Sequence, residues 1–314
     1  MTDHKKLAAE GNKIIPFLLT VLGVVLMALV FVESWLQITE QPFSFLKLAH
    51  NSGLLMGYQE SKQPNRGIWH LVGWIGSGCF IIMMLYSVRK HFKFMQDVGS
   101  IRYWLDVHMF LGIIGTLLVT AHSTYRFGGL VALSYWSAVL VAVSGFLGRY
   151  LYVQIPRSIS GQELKMDEIN EIMDDLTLEI DKFAQGEYDV QHYFERIAGP
   201  KADRRFAPRA PGARGRREMG MFDALWALFT TDIRNMITMS GIWSDLKNNR
   251  HIPPHVRSRI FKLIREKGRL VRSIEFLGAS HKLLHYWHVF HKPFAIIMFI
   301  IMFLHVGVYY VFRI

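Results

Sequence analysis

Four histidines that lie inside apolar stretches are the residues of this sequence best suited to chemistry. His108 and His122 are 14 residues apart in one stretch, and His291 and His305 are 14 residues apart in another. Polar side chains are costly in such surroundings and usually serve a function. Over 14 residues a helix returns to within about 40° of its starting direction and advances by about 21 Å. Each stretch therefore presents two histidines on one face, at two depths.

This pattern favours haem iron over other metal centres. Two imidazoles from opposite helices, with no carboxylate or thiolate nearby in the sequence, suit a bis-histidine haem. A zinc site would need three or four ligands at one depth, and the apolar stretches contain no such cluster. The predicted axial ligands are paired as His108 with His291 and His122 with His305. The alternative is that two polar pairs hydrogen-bond across a helix bundle without a cofactor.

Three further residues are candidates for a haem environment. Gly115 is seven residues from both His108 and His122, where a porphyrin edge would need room, although close helix packing is the common alternative for such a glycine. Arg126 is the best cation for an anionic haem propionate, with an ordinary membrane-anchor role equally open. His70 is open between a propionate hydrogen bond, a quinone site and a structural role, of which the structural role is favoured.

Several histidines precede the last apolar stretch, so the choice among them needs a reason. Measured against His305, the side chain of His288 points about 100° away, whereas His291 shares its face. Pro293 removes a backbone donor beside His291 and can kink the helix. His291 is therefore the predicted ligand, and His288 is the fallback.

The elements that position these residues are predicted to cross a membrane. Hydrophobic residues make up 51% of the 314 and charged residues 19%, and the mean hydropathy is +0.19. Apolar stretches long enough to cross a roughly 30 Å hydrocarbon core recur along the chain. The predicted spans are residues 14–32, 68–88, 104–122, 130–153 and 288–312. The sequence thus predicts an all-α integral membrane protein with five transmembrane helices and a four-helix haem-binding bundle.

Cysteine content and charge exclude several other classes of protein. The single cysteine, Cys79, cannot form an internal disulfide, a four-cysteine iron–sulfur site or a covalent c-type haem attachment. The net charge of +11 is interpreted as loop charge that faces anionic lipid headgroups or an acidic partner. Nucleic acid is not expected as a partner, because no nucleic-acid-binding module accompanies the charge.

The distribution of lysine and arginine predicts the orientation. Between the second and third predicted spans lie four basic residues, Arg89, Lys90, Lys93 and Arg102. The next turn has only Arg126. The positive-inside rule then places the N-terminal residues 1–13 in the cytoplasm and the C-terminus outside, in a bacterial inner membrane or its equivalent. The third and fifth spans run parallel in this arrangement, which matches the depths of their histidines.

Residues 154–283 form a long insertion between the last two predicted spans, and residues 14–153 and 284–314 hold the spans. The insertion is predicted to be cytoplasmic and helical, with an acidic first part and a basic linker from Gly199 to Arg217. An apolar stretch (219–243) and a basic amphipathic stretch (256–276) follow. These two stretches are predicted to be surface helices that fold on each other. Alternatively, they dock on the membrane surface or on a partner, and these two docking modes are weighed equally.

The four histidines His108, His122, His291 and His305 resemble the pattern of the di-haem transmembrane cytochromes b. Their parallel arrangement on the third and fifth helices is most similar to the ferric-reductase-like transmembrane family. The resemblance implies two haem b groups and electron transfer across the membrane. The chain departs from that family in its five predicted spans where six are common, and in the long insertion. No glycine-rich nucleotide fingerprint indicates a flavin or nicotinamide domain.

A chain without its own flavin domain is expected to exchange electrons with a redox partner subunit docked on the cytoplasmic side, or with a quinone as a further cofactor. We expect the electron-transfer subunit of a membrane oxidoreductase or respiratory complex. One alternative is a self-contained quinol or ferric reductase with a substrate pocket near His70 and Arg126. Another is a histidine-lined metal or proton transporter, which is poorly supported because Asp106 is the one clear acid in the spans.

Overall fold

A computed structural model describes most of the chain, and the elements in it are helical. The described residues are 14–41, 43–54, 63–95, 98–156, 163–184, 192–193, 196, 220–249 and 252–312. Every regular element with described bounds is a helix, which confirms the predicted all-α class for this part of the chain. Two predicted segments, the cytoplasmic residues 1–13 and the basic linker 199–217, lie outside the described residues.

The helices follow the order of the apolar stretches. They are α1 (Ile14–Ile38), α2 (Phe45–Asn51), α3 (Gly67–Met83), α4 (Leu85–His91), a 3₁₀ turn (Lys93–Met95), α5 (Ile101–His122), α6 (Gly129–Gln154), α7 (Met166–Ala184), α8 (Met221–Asn248) and α9 (Pro254–Phe312).

Four helical segments are long and apolar enough to cross a membrane. They are residues 67–91, which combine α3 and α4, and the helices α5, α6 and α9. They contain the second to fifth predicted spans, and they make the chain an integral membrane protein. The apolar segment found in α1, Gly23–Ile38, is shorter than a full span, so the first of the five predicted spans stays a prediction.

Helix α9 differs most from the sequence-based expectation. The basic amphipathic stretch and the last span were expected as separate elements, whereas they form one continuous helix of 59 residues. Between Phe276 and His288 the chain has a single glycine, Gly278, and no proline, so nothing strong enough to end the helix intervenes. Pro293 lies inside the helix without ending it. One missing backbone hydrogen bond is tolerated in a membrane helix when neighbouring helices pack around it.

The chain divides into two compact units. The first contains the described residues up to Arg149 and those from Trp287 onward, and the second contains the described residues from Tyr150 to Tyr286. Both divisions fall within a helix, in α6 and in α9. All four predicted ligand histidines belong to the first unit.

Close packing between α3 and α5 organises the first unit. A Cβ atom on Gly76 would lie 3.0 Å from Val119 Cγ2 and 3.4 Å from the carbonyl oxygen of Gly115. A Cβ atom on Gly115 would lie 2.9 Å from the ring of Phe80. Small residues let transmembrane helices approach in this way. Gly115 thus takes part in this helix packing, and a role for it at a porphyrin edge stays a prediction.

A second packed cluster joins α3, α6 and α9. Its buried members are Phe80, Met83, Ala138, Met298 and Met302. The Ser134 hydroxyl of α6 donates a 2.8 Å hydrogen bond to the carbonyl oxygen of Met298. Because Met298 is seven residues from both His291 and His305, this contact fixes the middle of the stretch of α9 that carries them.

The end of α5 is shaped by an unusual turn. The Ser100 side chain caps the start of the helix, which ends at His122. Thr124 and Tyr125 then adopt left-handed backbone conformations, with φ of 48° and 59°. Each such residue costs roughly 1–2 kcal/mol. The Tyr125 hydroxyl lies 2.9 Å from the hydroxyl of Ser34 in α1, a contact that helps to hold this turn and with it the helix end that carries His122.

The helices of the second unit fold on one another. Their shared core contains Leu176 and Ile180 of α7, Ile242 and Leu246 of α8, and Ile260, Leu263 and Ile264 of α9. Arg272 of α9 forms an ion pair with Asp232 of α8 and donates a 2.8 Å hydrogen bond to Gln154. The apolar and basic stretches of the insertion are thus packed together through part of their surfaces.

Candidate cofactor site: two histidine cavities

The four histidines share two cavities of the first unit. The first cavity is lined by His108 of α5 and His291 of α9, and the second cavity by His122 and His305 of the same helices. The space within them is about 400 Å³ and about 790 Å³, part of it open to the outside. Each cavity thus holds one of the two predicted histidine pairs, and their role as iron ligands stays a prediction.

The helical register explains why the histidines reach two separate cavities. Fourteen residues place the two histidines of each helix about 21 Å apart along its axis. Halfway along α5, Gly115 is buried against α3, and no described residue lines both cavities. The two sites are therefore distinct pockets at different levels of one bundle.

Backbone carbonyl groups orient the two histidines of α5. His108 Nδ1 lies 3.0 Å from the carbonyl oxygen of Met83, and His122 Nδ1 lies 2.8 Å from that of Trp69. A carbonyl oxygen can only accept, so the Nδ1 atom of each neutral imidazole carries the hydrogen. The lone pair of each ring is then on Nε2, the atom that remains for a metal ion.

A serine hydroxyl orients His291 in the same way. Ser144 Oγ lies 2.9 Å from the carbonyl oxygen of Val141, to which it donates, and 2.7 Å from His291 Nδ1. Because the hydroxyl has one hydrogen, it accepts from Nδ1–H of the histidine. Metal-bound histidines almost always donate their second ring nitrogen to an acceptor of this kind. His108, His122 and His291, three of the four predicted ligands, thus each direct Nδ1–H at a protein acceptor.

Trp287 packs beside His291 and links α9 to α6 next to the first cavity. Its ring centroid lies 4.5 Å from that of His291, and its Nε1 donates a 2.7 Å hydrogen bond to the carbonyl oxygen of Ser144. A Cβ atom on Gly148 would overlap the Trp287 ring. Glycine at this position of α6 is therefore required for the indole, and hence for the adjacent histidine, to sit where they do.

The second cavity differs from the first in that a glycine of α3 forms part of its wall. A Cβ atom on Gly73 of α3 would lie 2.5 Å from His122 Nδ1, so only glycine lets this ring lie against α3. His70 and Trp74 of α3 and Tyr309 of α9 line the same cavity. The ring centroid of His70 lies 4.7 Å from that of Tyr309 and 5.9 Å from that of Trp74. A third histidine and two aromatic rings thus surround this pair.

The remaining candidates lie outside the cavities. Gly115 faces α3 and is not among the residues that line either cavity. Arg126 is exposed in the turn after α5, and it does not line the second cavity. His288 does not line the first cavity, and its ring lies 4.7 Å from that of Trp287. The structure therefore brings His108 together with His291 rather than with His288.

Asp106, the one clear acid of the predicted spans, forms an ion pair with an arginine. Asp106 Oδ1 forms a 2.9 Å ion pair with Arg149, and both belong to the first unit. Within the part of the chain that the structure describes, no group of three or more histidine, cysteine, aspartate or glutamate side chains is placed to hold a metal ion. His70 therefore lines the second cavity without forming a three-histidine metal site with His122 and His305.

Comparisons with family models, curated proteins and solved structures found no match to this chain. A function for the chain is therefore inferred from the residues of the two cavities and the helices that carry them.

Proposed function

We propose that this chain is a membrane b-type cytochrome that carries electrons across the bilayer through two haem b groups. His108 and His291 would hold one haem, and His122 and His305 the other. The observation that carries the proposal is the orientation of the imidazoles. Three of the four direct Nδ1–H at a protein acceptor, which leaves Nε2 for iron.

The chemistry of the two linings supports the same cofactor. Neither lining contains an aspartate, glutamate or cysteine, so the first cavity offers two imidazoles, the second offers three with His70 included, and neither offers an anionic ligand. Such a donor set suits haem iron better than zinc or a hard cation. Bound haem would supply one-electron iron chemistry, and the two histidine pairs would hold it in a largely apolar surrounding.

The wider setting follows from the resemblance to di-haem cytochromes b, most like the ferric-reductase-like transmembrane family. We propose that the chain is the electron-transfer subunit of an oxidoreductase or respiratory complex in a bacterial inner membrane or its equivalent. The N-terminus would face the cytoplasm, and a redox partner subunit would dock on the cytoplasmic side. A first transmembrane helix formed by α1 belongs to the same proposal.

The experiment is a dithionite-reduced minus oxidised spectrum of the purified chain, with haem counted per polypeptide. We expect a b-type spectrum and two haems, reduced to one in His122→Ala and in His305→Ala. His288→Ala is the matched control beside His291 and is expected to keep both haems. Folded protein without haem, purified from haem-replete cells, would contradict the proposal and favour a metal or proton pathway through the histidines.

A second candidate function is favoured by the second cavity. It is the larger of the two cavities, and His70, Trp74 and Tyr309 line it beside the histidine pair. Such a lining suits a self-contained reductase in which a quinone or a ferric chelate reaches the cofactor edge. The purified chain alone would then be re-oxidised by quinone or ferric chelate, and His70→Phe would slow that step while keeping both haems. Re-oxidation only in the presence of a partner subunit favours the first proposal.

A further inference from the structure

The short helix α2 of the first unit has no buried residue, and it exposes apolar side chains. Phe45 and Leu48 are 52% and 53% exposed, and Phe43, just before the helix, is 69% exposed. At 100° per residue, Phe45 and Leu48 lie about 60° apart, whereas Lys47 and His50 lie on the opposite side of the helix. The helix thus has an apolar face and a polar face. A contiguous exposed apolar patch marks an interaction surface.

The carboxylate of Glu33 joins the start of α2 to α1. It accepts hydrogen bonds from Ser44 Oγ at 2.6 Å, from the backbone N–H of Phe45 at 2.8 Å and from that of Leu46 at 3.3 Å. Gln37 Nε2 donates a fourth hydrogen bond, of 2.8 Å, and the Glu33 side chain is buried. A buried carboxylate is costly unless donors of this kind surround it. The start of α2 is therefore fixed at the level of Glu33 on α1.

Helix α1 lies parallel to α5, so this level can be compared with the end of α5. A Cβ atom on Gly23 would meet the ring of Phe110, near the middle of α5. Further along both helices, Ser34 Oγ lies 2.9 Å from the hydroxyl oxygen of Tyr125, in the turn after α5. Contacts that advance together along two helices define a parallel pair. Glu33, next to Ser34, is thus level with that turn.

The turn after α5 lies at a boundary of the bilayer. Helix α5 has 22 residues and is about 33 Å long, close to the roughly 30 Å of the hydrocarbon core that it crosses. Leu48 is three residues beyond Phe45, which is at most about 4.5 Å along the helix axis. Both side chains therefore stay near the boundary between hydrocarbon and headgroups, in whichever direction α2 points.

We propose that Phe43, Phe45 and Leu48 bury their side chains in the lipid interface on the side where α5 ends, and that Glu33 holds them at this depth. The spanning helices of the same unit contact lipid, and the apolar face of α2 continues that contact. Amphipathic helices bury apolar side chains at the boundary between headgroups and acyl chains. Trp35, 63% exposed near the end of α1, is of a residue type enriched there. This inference does not depend on haem, so it stands or falls separately from the proposed cytochrome function.

The single native cysteine makes a direct test possible. In a Cys79→Ala background, one cysteine at a time is introduced for a nitroxide label at Phe45 or Leu48, on the apolar face. Matched controls carry the label at Lys47 or His50, on the polar face of the same helix. A label at Val143, which is 62% exposed in the middle of α6, calibrates the lipid core. The full chain is reconstituted in phosphatidylcholine nanodiscs, and the unfolding temperature of each variant confirms that it is folded.

The readout is the collision of the label with oxygen, which partitions into lipid, compared with a water-soluble nickel chelate. We expect the oxygen-to-nickel ratio to be several-fold higher at residues 45 and 48 than at residues 47 and 50, and lower than at residue 143. Equal ratios at the four positions of α2 would overturn the proposal, because the helix would then have no lipid-facing side. Labels at 45 and 48 shielded from both reagents would also overturn it, because a protein surface would then cover the face.

The role of Glu33 is tested by Glu33→Gln with the label at residue 45. The carboxylate uses both of its oxygens as acceptors, and the amide would lose the hydrogen bond from the backbone N–H of Phe45. We expect the oxygen-to-nickel ratio at residue 45 to fall at least twofold, with the ratio at residue 143 unchanged. Glu40→Gln, which alters an exposed carboxylate of the same segment, is the matched control and should leave both ratios unchanged. An equal ratio at residue 45 in the two variants would overturn the role of Glu33 as the anchor.

Discussion

The two histidine cavities position the same side chain by different means. In the first cavity, His291 is held by the hydroxyl of Ser144 and lies against the ring of Trp287. In the second, His122 is held by a backbone carbonyl group, and its ring lies against the bare backbone of Gly73. The first arrangement depends on side-chain chemistry from a neighbouring helix, and the second depends on the absence of a side chain.

The difference teaches where each site can be damaged selectively. A site built on a glycine is lost when any side chain is added, because the intruding atoms displace the ligand itself. A site built on a hydroxyl keeps its space when the hydroxyl is removed, and loses only the orientation of the ligand. Adding a side chain at Gly73 should therefore empty the second cavity abruptly, whereas removing the hydroxyl of Ser144 should weaken binding in the first by degrees.

The largest effect is expected from Gly73→Val. Its side chain would occupy the position of the His122 ring, so haem should fall from two to one per chain, with the second cavity emptied. Reduced-minus-oxidised spectra with haem counted per polypeptide measure this. Gly78→Val is the matched control on the same helix, since a Cβ atom there would meet no described atom within 4 Å. Equal haem content in Gly73→Val and Gly78→Val would contradict the conclusion that the second cavity depends on the absence of a side chain at residue 73.

An intermediate effect is expected from Ser144→Ala. Loss of the acceptor for His291 Nδ1–H should weaken haem binding in the first cavity by roughly 10–100-fold, the usual effect of removing such a partner, and leave the second unchanged. Haem titration of the apoprotein measures the two affinities. Ser144→Thr retains a hydroxyl and should restore most of the affinity. A threonine variant as weak as the alanine variant would show that orientation by the hydroxyl is not the cause.

The smallest effect on haem is expected from Gly115→Ala. The added methyl group would meet the Phe80 ring at about 2.9 Å, so the helices must shift slightly. Overpacking of this kind typically costs about 1–3 kcal/mol. We expect a lower unfolding temperature with both haems retained. Loss of haem at unchanged stability would instead assign Gly115 to the porphyrin edge, as the sequence alone suggested.

Several features of this molecule could be predicted from the sequence because they depend on spacing within one helix. The helices α3, α5 and α6 and the two histidine faces follow from apolar length and the 3.6-residue period. Ser144, Trp287 and Gly73 could not be identified as neighbours of the histidines, because their roles arise from contacts between helices. A glycine or serine in an apolar span indicates close packing but not the residue that it packs against.

The continuity of α9 could not be predicted from the sequence pattern. Its charged half and its apolar half have the patterns of two separate elements, although helix propensity is uninterrupted between them. Periodicity showed that the stretch 219–243 was apolar, but it could not show which apolar side chains would be covered by the second unit. That depends on the packing of α7 and α9 on α8.

The unbroken length of α9, 59 residues, also determines where this helix bends most easily. At 1.5 Å per residue the helix is about 88 Å long, and it carries both His291 and His305. Its weakest point is next to the first of them, because Pro293 leaves the carbonyl of Val289 without its helical donor. Bending of α9 should therefore concentrate at the level of the first cavity. His291 therefore lies beside the point where α9 bends most easily, whereas His305 lies more than three turns beyond it.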